Sequence, residues 1–268
     1  MSDADADADA DADVTVLSDS DSDSSVAVLR LNRPAVRNAL SAALVDRLAT
    51  MLGELEGDPG IRVVVLTGSP PGFCAGSDLT ELAGLPVTER VRHEERAGQL
   101  ARTLQQLGIP VVAAVEGFAL GGGFLLATSC DVVVSASQAR WHLPEVGLGW
   151  VPPWGLHSLV ARVGPATARR LAWGEQPLSG QQLNRLGAVD EVSEPGHALR
   201  RAMEVALRLA TLAPRAVAST KRALADADTG AAESLDARTS SMFGLDCYSD
   251  TAQLSFTRFA RPERDQDR

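Results

Sequence analysis

The segment Gly117-Phe-Ala-Leu-Gly-Gly-Gly-Phe-Leu-Leu-Ala127 follows the apolar run Pro110-Val-Val-Ala-Ala-Val115, and the two together decide the fold. The run is typical of a buried strand, and three consecutive glycines then open an apolar helix. Glycine at a helix start lets a ligand approach the backbone and leaves the first N–H groups free, where the helix dipole favours negative charge. No lysine follows the glycines, which disfavours a phosphate-binding P-loop. The segment predicts either a site for the oxyanion of a carbonyl substrate or a tight strand–helix packing turn.

Outward from this segment, strand patterns alternate with helix patterns, which predicts an α/β fold with a helical C-terminal part. Strands are expected at Val14–Leu17 and Val26–Leu31 (a hairpin), Arg62–Thr67, Asp131–Val134 and Ala188–Val192. Helices are expected after the N-cap Ser41, from about Val87 to Leu107, and from His197 almost to the end, and a loop from Trp141 to Trp154.

Residues 2–13 are essentially an Asp-Ala repeat, which buries too little apolar surface to offset the entropy of ordering, so a disordered acidic tail is predicted over residues 1–13. Residues 14–196 are expected to form the core and residues 197–268 a C-terminal helical region. The net charge of -10 comes from the start of the chain: nine aspartates lie within residues 1–25, and the remainder holds 26 acidic against 25 basic residues. Such a balance disfavours a nucleic-acid partner.

Composition narrows the class of protein further. Apolar residues make up 45% of the chain, yet no apolar run approaches the length of a membrane span and no signal peptide is recognisable, so a cytoplasmic protein with no membrane partner is expected. Three cysteines at unrelated positions predict neither a disulfide framework nor a metal site. The contiguous glycines also lack the spacing of a nicotinamide-binding fold.

Four segments in series carry a resemblance to a known family. They are Leu31-Asn-Arg-Pro-Ala-Val-Arg-Asn-Ala-Leu40, Phe73-Cys-Ala-Gly-Ser-Asp-Leu79, Gly121-Gly-Gly123 and Pro144-Glu-Val-Gly-Leu-Gly149. In this order and spacing the chain resembles the crotonase, or enoyl-CoA hydratase/isomerase, superfamily from about residue 14 to residue 260. Each segment alone is a weak signal, but the series is specific.

The resemblance implies a spiral of ββα repeats with C-terminal helices that drive trimerisation, giving a homotrimer or a hexamer. It implies acyl-CoA thioester substrates, no cofactor besides the coenzyme A of the substrate, and an oxyanion hole formed by the backbone N–H groups of Ser77 and Gly122. It places contacts to the CoA or acyl group at Val36, Arg37, Ala75, Asp78, Leu79, Leu125, Trp141 and Trp154. For Asp78, bracing of its own loop is the favoured alternative, and for the tryptophans the alternative is core packing.

The carboxylates decide which reaction the resemblance supports. Family hydratases hold a water between two glutamates, whose positions here are Leu125 and Glu145. Leu125 exchanges no proton, whereas a single glutamate can take a proton from one carbon and return it to another. The site residues are therefore closest to the Δ3,Δ2-enoyl-CoA isomerases of the family. Apolar neighbours predict a raised pKa for Glu145, which suits a general acid/base.

The leading hypothesis is an isomerase that converts 3-enoyl-CoA to 2-enoyl-CoA with Glu145 as acid and base. The alternatives are a hydratase or dehydratase that uses a single glutamate, and a catalytically silent subunit that binds acyl-CoA or a partner enzyme. Decarboxylation or dehalogenation in the same oxyanion hole carries less weight. Catalytic roles for Cys74, His142 and Tyr248, and a CoA contact from Arg258–Arg264, are disfavoured against packing and surface exposure.

Overall fold

The structure, a computed structural model, describes residues 13–17, 25–226 and 229–260. The predicted acidic tail, residue 13 excepted, lies outside the described residues, and so does most of the segment Arg258–Arg264. The predicted α/β architecture with C-terminal helices is confirmed.

The main sheet contains six strands: β1 Val14–Leu17, β2 Val26–Leu31, β3 Val63–Gly68, β4 Val111–Val115, β6 Val132–Ala136 and β9 Glu191–Ser193. They lie in the order β1-β2-β3-β4-β6-β9, with β1 antiparallel to β2 and all other pairs parallel. Strands β3 and β4 lie at the centre of the sheet and are buried on both faces, which explains their continuous Val, Leu and Ala runs.

The last strand begins later than its pattern predicts. Ala188 and Val189 precede β9 and pack in the core next to a helix end, where the Ala188 N–H donates to the Leu183 carbonyl at 3.0 Å. Their apolar character therefore reflects the packing of a helix C-terminus and not strand pairing.

A small second sheet lies beside the glycine segment. It pairs β5 Phe118–Leu120 with β7 Arg140–His142 in parallel, and β7 with β8 Leu178–Ser179 antiparallel. The glycine helix therefore follows β5 and not β4 directly, and the predicted loop from Trp141 to Trp154 contains both a strand end and a short helix. Elements of two to four residues leave too short a pattern to be identified by periodicity.

The first helix begins as predicted, because the Ser41 hydroxyl accepts the Leu44 N–H at 3.2 Å. The remaining helices are interspersed with the strands up to β9, singly or in pairs, and then follow one another. Their bounds are α1 Ala42–Gly57, α2 Leu79–Ala83, α3 Val87–Gln106, α4 Gly122–Thr128, α5 Glu145–Leu148, α6 Leu156–Ala172, α7 Gly180–Leu186, α8 Ala198–Ala210, α9 Pro214–Asp226, α10 Thr229–Asp246 and α11 Asp250–Ala260.

The C-terminal helices divide between two faces of the core. Helix α8 packs against the main sheet through Ala202, Val205 and Ala206. Helix α10 packs on α3, and α11 on α2 and α5. There Trp150 stacks on Phe256 with ring centroids 4.8 Å apart, so α11 covers the segment just after α5. Every helix among the described residues is too short or too polar to cross a lipid bilayer.

Candidate active site

Two backbone segments meet at the glycine turn before α4. A Cβ added to Gly76 would lie 3.0 Å from the nitrogen of Gly122, and one added to Gly122 would lie 3.5 Å from the nitrogen of Ser77. The segments approach this closely only because no side chain separates them. Within the described part of the chain, neither the Ser77 N–H nor the Gly122 N–H donates a hydrogen bond. The two N–H groups therefore lie on neighbouring segments without a partner in the described part of the protein.

The loop that carries Ser77 is held from both sides. The Leu40 N–H donates to the Gly76 carbonyl at 2.8 Å, and the Asp78 N–H donates to the Leu40 carbonyl at 3.0 Å. The Asp78 carboxylate accepts the Glu81 N–H at 3.2 Å and pairs with Arg33 at 3.0 Å. Asp78 therefore braces its loop, and it is not among the side chains that line the cavity described below.

Glu145 lies directly against the glycine turn. Gly121 has φ +52°, and a Cβ there would lie 2.9 Å from Oε1 of Glu145. The Glu145 side chain is buried, and its Oε2 has no hydrogen-bond partner among the described residues. Burial raises the pKa of Glu145 to about 8; the hydrogen bond from its own backbone N–H opposes this rise, and the negative charge of Glu94 adds to it. Near neutral pH the carboxyl is therefore protonated.

A cavity of about 40 Å³ connects Glu145 to the two N–H groups. The sequence-predicted residues that line it are Ala75, Ser77, Leu79, Gly122, Leu125, Glu145 and Trp154. The structure thus brings seven of the predicted residues together. Glu94 of α3, Trp150 of the segment after α5 and Phe243 of α10 also line it.

Trp141 does not line this cavity, contrary to the prediction. It lies in β7, where its Nε1–H donates to the Ser135 hydroxyl at 3.0 Å and its ring meets Phe124 edge-on at 5.0 Å. Neighbouring residues of a strand point to opposite sides, and His142 bonds the Gly174 carbonyl at 3.0 Å. Both side chains serve packing and local hydrogen bonding.

Val36 and Arg37 lie outside the cavity, on the outer side of the Ser77 loop. Val36 is 43% exposed, and the Arg37 guanidinium lies 5.0 Å from the ring centroid of Phe118. The Arg37 carbonyl accepts the Ala75 N–H at 3.1 Å, which joins this turn to the cavity wall. A CoA contact at Val36 and Arg37 stays a prediction.

Cys74 and Tyr248, the two other candidates for a catalytic role, are not supported by the structure. Burial raises the pKa of the Cys74 thiol to about 12, so the thiolate that reacts with electrophiles is scarce. Tyr248 is 70% exposed and does not line the cavity of its own chain. The described residues contain no cluster of three or more His, Cys, Asp or Glu side chains able to hold a metal ion.

Sequence reasoning missed Glu94. It lies in the charged run Arg92-His-Glu-Glu-Arg96, which reads as a solvated helix face, yet it is only 3% exposed. Its Oε2 accepts the Nε1–H of Trp154 at 2.8 Å. The signal that was available is its spacing from Ala97, Gly98 and Ala101, the i, i+3, i+4, i+7 pattern of one buried helix face.

Sequence reasoning also missed the role of α10, which holds the segment containing Trp154. The Val151 N–H donates to the Asp246 carboxylate at 2.9 Å, and the Thr239 hydroxyl donates to the Pro153 carbonyl at 2.7 Å. The Gly155 N–H donates to Asp236, whose carboxylate also pairs with Arg102 of α3. The C-terminal helices therefore build one wall of the cavity.

Known proteins are similar to this chain in both sequence and architecture. The family model described as enoyl-CoA hydratase/isomerase matches residues 21–265. A short-chain-enoyl-CoA hydratase of Clostridium acetobutylicum is 37% identical over 201 residues, 74% of this chain and 77% of that enzyme. A 2,3-dehydroadipyl-CoA hydratase of Escherichia coli is 38% identical over 200 residues, 74% of this chain and 78% of that enzyme.

A crystal structure of an enoyl-CoA hydratase/isomerase from Mycobacterium paratuberculosis superimposes with a TM-score of 0.82 at 26% identity, covering 92% of this chain and 98% of that one. The match extends over both the sheet region and the C-terminal helices. The chain therefore belongs to the enoyl-CoA hydratase/isomerase family, the crotonase-type enzymes that act on acyl-CoA thioesters.

Proposed function

We propose that this enzyme adds water reversibly to the double bond of a 2-enoyl-CoA. The observation that carries the proposal is a buried Glu145 with a pKa raised to about 8, in one cavity with the Ser77 and Gly122 N–H groups. The relatives compared above are named hydratases, which favours water addition over the isomerisation that the sequence alone suggested. The substrate supplies its own coenzyme A, and the reaction needs no further cofactor.

The chemistry follows from where charge develops. When water adds to C3 of the substrate, the electrons of the C2–C3 double bond move toward the thioester and create an enolate. The N–H groups of Ser77 and Gly122 stabilise its oxygen, and fixed donors of this kind contribute about 3–4 kcal/mol each. Glu145, protonated near neutral pH, then delivers its proton to C2.

Double-bond isomerisation is the second candidate, and Leu125 favours it. This side chain is fully buried and lines the cavity at the position where the resemblance expects a second glutamate. In that reaction ionised Glu145 removes a proton from C2 of a 3-enoyl-CoA and returns it to C4, so one carboxylate is enough.

Product mass separates the two candidates. The purified enzyme is incubated with 2-butenoyl-CoA and, separately, with 3-hexenoyl-CoA, and products are read by mass and by absorbance of the conjugated thioester. Hydration predicts a product heavier by one water from the first substrate. Conjugation of the second substrate at unchanged mass, with the first left intact, would establish the isomerase instead. No reaction with either would favour a binding role.

The pH dependence gives an independent discriminator. Hydration needs protonated Glu145 in the free enzyme, so kcat/KM falls as the pH rises through about 8. Isomerisation begins with ionised Glu145, so its kcat/KM rises over the same range. Rates with each substrate between pH 6 and pH 9.5 measure the sign of the slope.

A further inference from the structure

We propose that Glu94 is the second carboxylate of the reaction: it binds the water that adds to C3 and removes its proton, in place of the glutamate that Leu125 lacks. This inference rests on the proposed hydratase function and assigns the one role which that function leaves without a residue.

Glu94 reaches the cavity from α3, a helix that carries none of the site residues predicted from the sequence. It lies in α3, is 3% exposed, and lines the same cavity as Glu145 and Leu125. Within the described part of the chain no salt bridge involves it, whereas its neighbours Arg92 and Arg96 pair with exposed carboxylates elsewhere. Glutamate is almost never fully buried unless it is paired, which marks Glu94 as a candidate functional residue.

Trp154 fixes the position of Glu94 relative to the oxyanion hole. Its Nε1–H donates to Oε2 of Glu94 at 2.8 Å, while Cζ2 of the same indole would lie 3.0 Å from a Cβ at Gly122. Gly98 allows α3 to come this close, since a Cβ there would lie 2.9 Å from Cβ of Trp154. One rigid ring therefore spans from the Glu94 carboxylate to the turn that binds the thioester oxygen.

The space between the carboxylates suits a water molecule. The cavity of about 40 Å³ exceeds the roughly 10–15 Å³ that one water requires. Glu94 and Trp154 also line an outer cavity of about 430 Å³ on the side of α10. Glu94 therefore borders both cavities, and in this proposal the reacting water comes from the outer one.

The two carboxyl groups divide the work. Glu94, ionised, accepts a proton from the water as the water oxygen bonds to C3, and the C2–C3 double bond becomes the enolate held by the Ser77 and Gly122 N–H groups. Glu145 gives its proton to C2, and the enolate electrons form the new C–H bond. Afterwards Glu94 carries a proton and Glu145 is ionised, and exchange with solvent restores both. The negative charge of Glu94 also helps to keep Glu145 protonated beforehand.

The test separates water addition from proton transfer at C2, which needs only Glu145 and the oxyanion hole. Glu94→Gln is compared with wild type and with Glu95→Gln, the same change at the exposed neighbour on α3. Two rates are measured: hydration of 2-butenoyl-CoA, and exchange of the C2 proton of butanoyl-CoA for deuterium in D2O, followed by mass. Gln has the shape of Glu and can still accept the Trp154 N–H, and retained exchange shows that the site is folded.

In Glu94→Gln, hydration is expected to fall roughly 10²–10⁴-fold while C2 exchange persists, and Glu95→Gln is expected to match wild type in both. Hydration retained in Glu94→Gln within threefold would overturn the assignment, and so would an equal loss of both rates. A wild-type enzyme that exchanges the C2 proton but adds no water would refute the proposed hydratase function itself. That result is visible before any variant is made.

Discussion

For Glu145, the proposed catalytic acid and base, burial has a consequence for the stability of the fold. Its pKa rises from 4.5 to about 8 on folding, mainly through burial. Below pH 4.5 the carboxyl is protonated in both the folded and the unfolded state and contributes no difference. As the pH rises from 4.5 to 8, only the unfolded chain releases the proton, so the folded state loses stability. At about 1.4 kcal/mol per pKa unit, the full loss above pH 8 is of order 4–5 kcal/mol.

Replacement by a neutral isostere removes this pH-dependent penalty. We predict that Glu145→Gln unfolds at a higher temperature than wild type at pH 8.5, and that the difference shrinks as the pH falls toward 5. Thermal unfolding of both proteins across this range measures the effect, with the exposed Glu95→Gln as control. A constant offset at every pH would contradict the raised pKa.

Some of the residues that line the cavity could be predicted from the sequence, and others could not. The positions of Ser77, Gly122 and Glu145 follow from short segments whose backbone geometry requires glycine, and the structure brings all three to one cavity. Glu94 was not predicted as a site residue because it lies in a run of polar and charged residues. Only its spacing from the small residues of the buried helix face indicates that it is buried. Trp141 was predicted to contact substrate, but it packs in the core. The sequence does not distinguish these two roles of a tryptophan until its strand is known.

At the scale of elements, the turn after α5 joins the Glu145 helix to α11. Gly149 has φ +106°, and a Cβ there would lie 2.7 Å from the backbone nitrogen of Ala252. A side chain at this position is strained and also separates α11 from the turn. Gly147, in the same short helix, has nothing within 4 Å of an added Cβ.

This contrast provides a matched pair of variants. We predict that Gly149→Ala destabilises the fold by about 1–3 kcal/mol and lowers kcat/KM, because the shifted turn carries Glu145, while Gly147→Ala stays near wild type in both. Chemical denaturation and hydration assays on the two variants provide the check. Equal behaviour of the two alanine variants would show that α11 does not position the catalytic helix.

The longer elements could be predicted from the sequence because each carries several turns or a full buried run. Helix α3 ends one residue from its expected limit, and the central strands lie where their Val runs placed them. Strands β5 and β7 and helix α5 were not predicted, because each has only three or four residues. The conformation of such short elements depends on tertiary contacts and not on a local sequence pattern.

At the scale of the whole molecule, the C-terminal helices carry large apolar side chains on their outer surface. Leu207, Leu224, Leu245 and Leu254 are each more than half exposed in the single chain. Exposed apolar side chains mark an interaction surface where they form one patch, and the family resemblance implies trimerisation through this region.

We therefore predict that the protein is a homotrimer, or a hexamer of two trimers, in solution. Sedimentation equilibrium at micromolar concentration is expected to give a mass about three or six times the 28.2 kDa of the chain. A species at the mass of one chain would show that the exposed leucines of α8 to α11 serve another purpose.

The central claim is that Glu145 transfers the proton at C2 of an acyl-CoA whose thioester oxygen is held by the Ser77 and Gly122 N–H groups. The most direct test compares the rate of hydration of 2-butenoyl-CoA by wild type and Glu145→Gln at pH 7. The rate of hydration is expected to fall by about 10²–10⁴-fold in Glu145→Gln with the fold intact. Activity retained within a few-fold would contradict it and remove Glu145 from the mechanism.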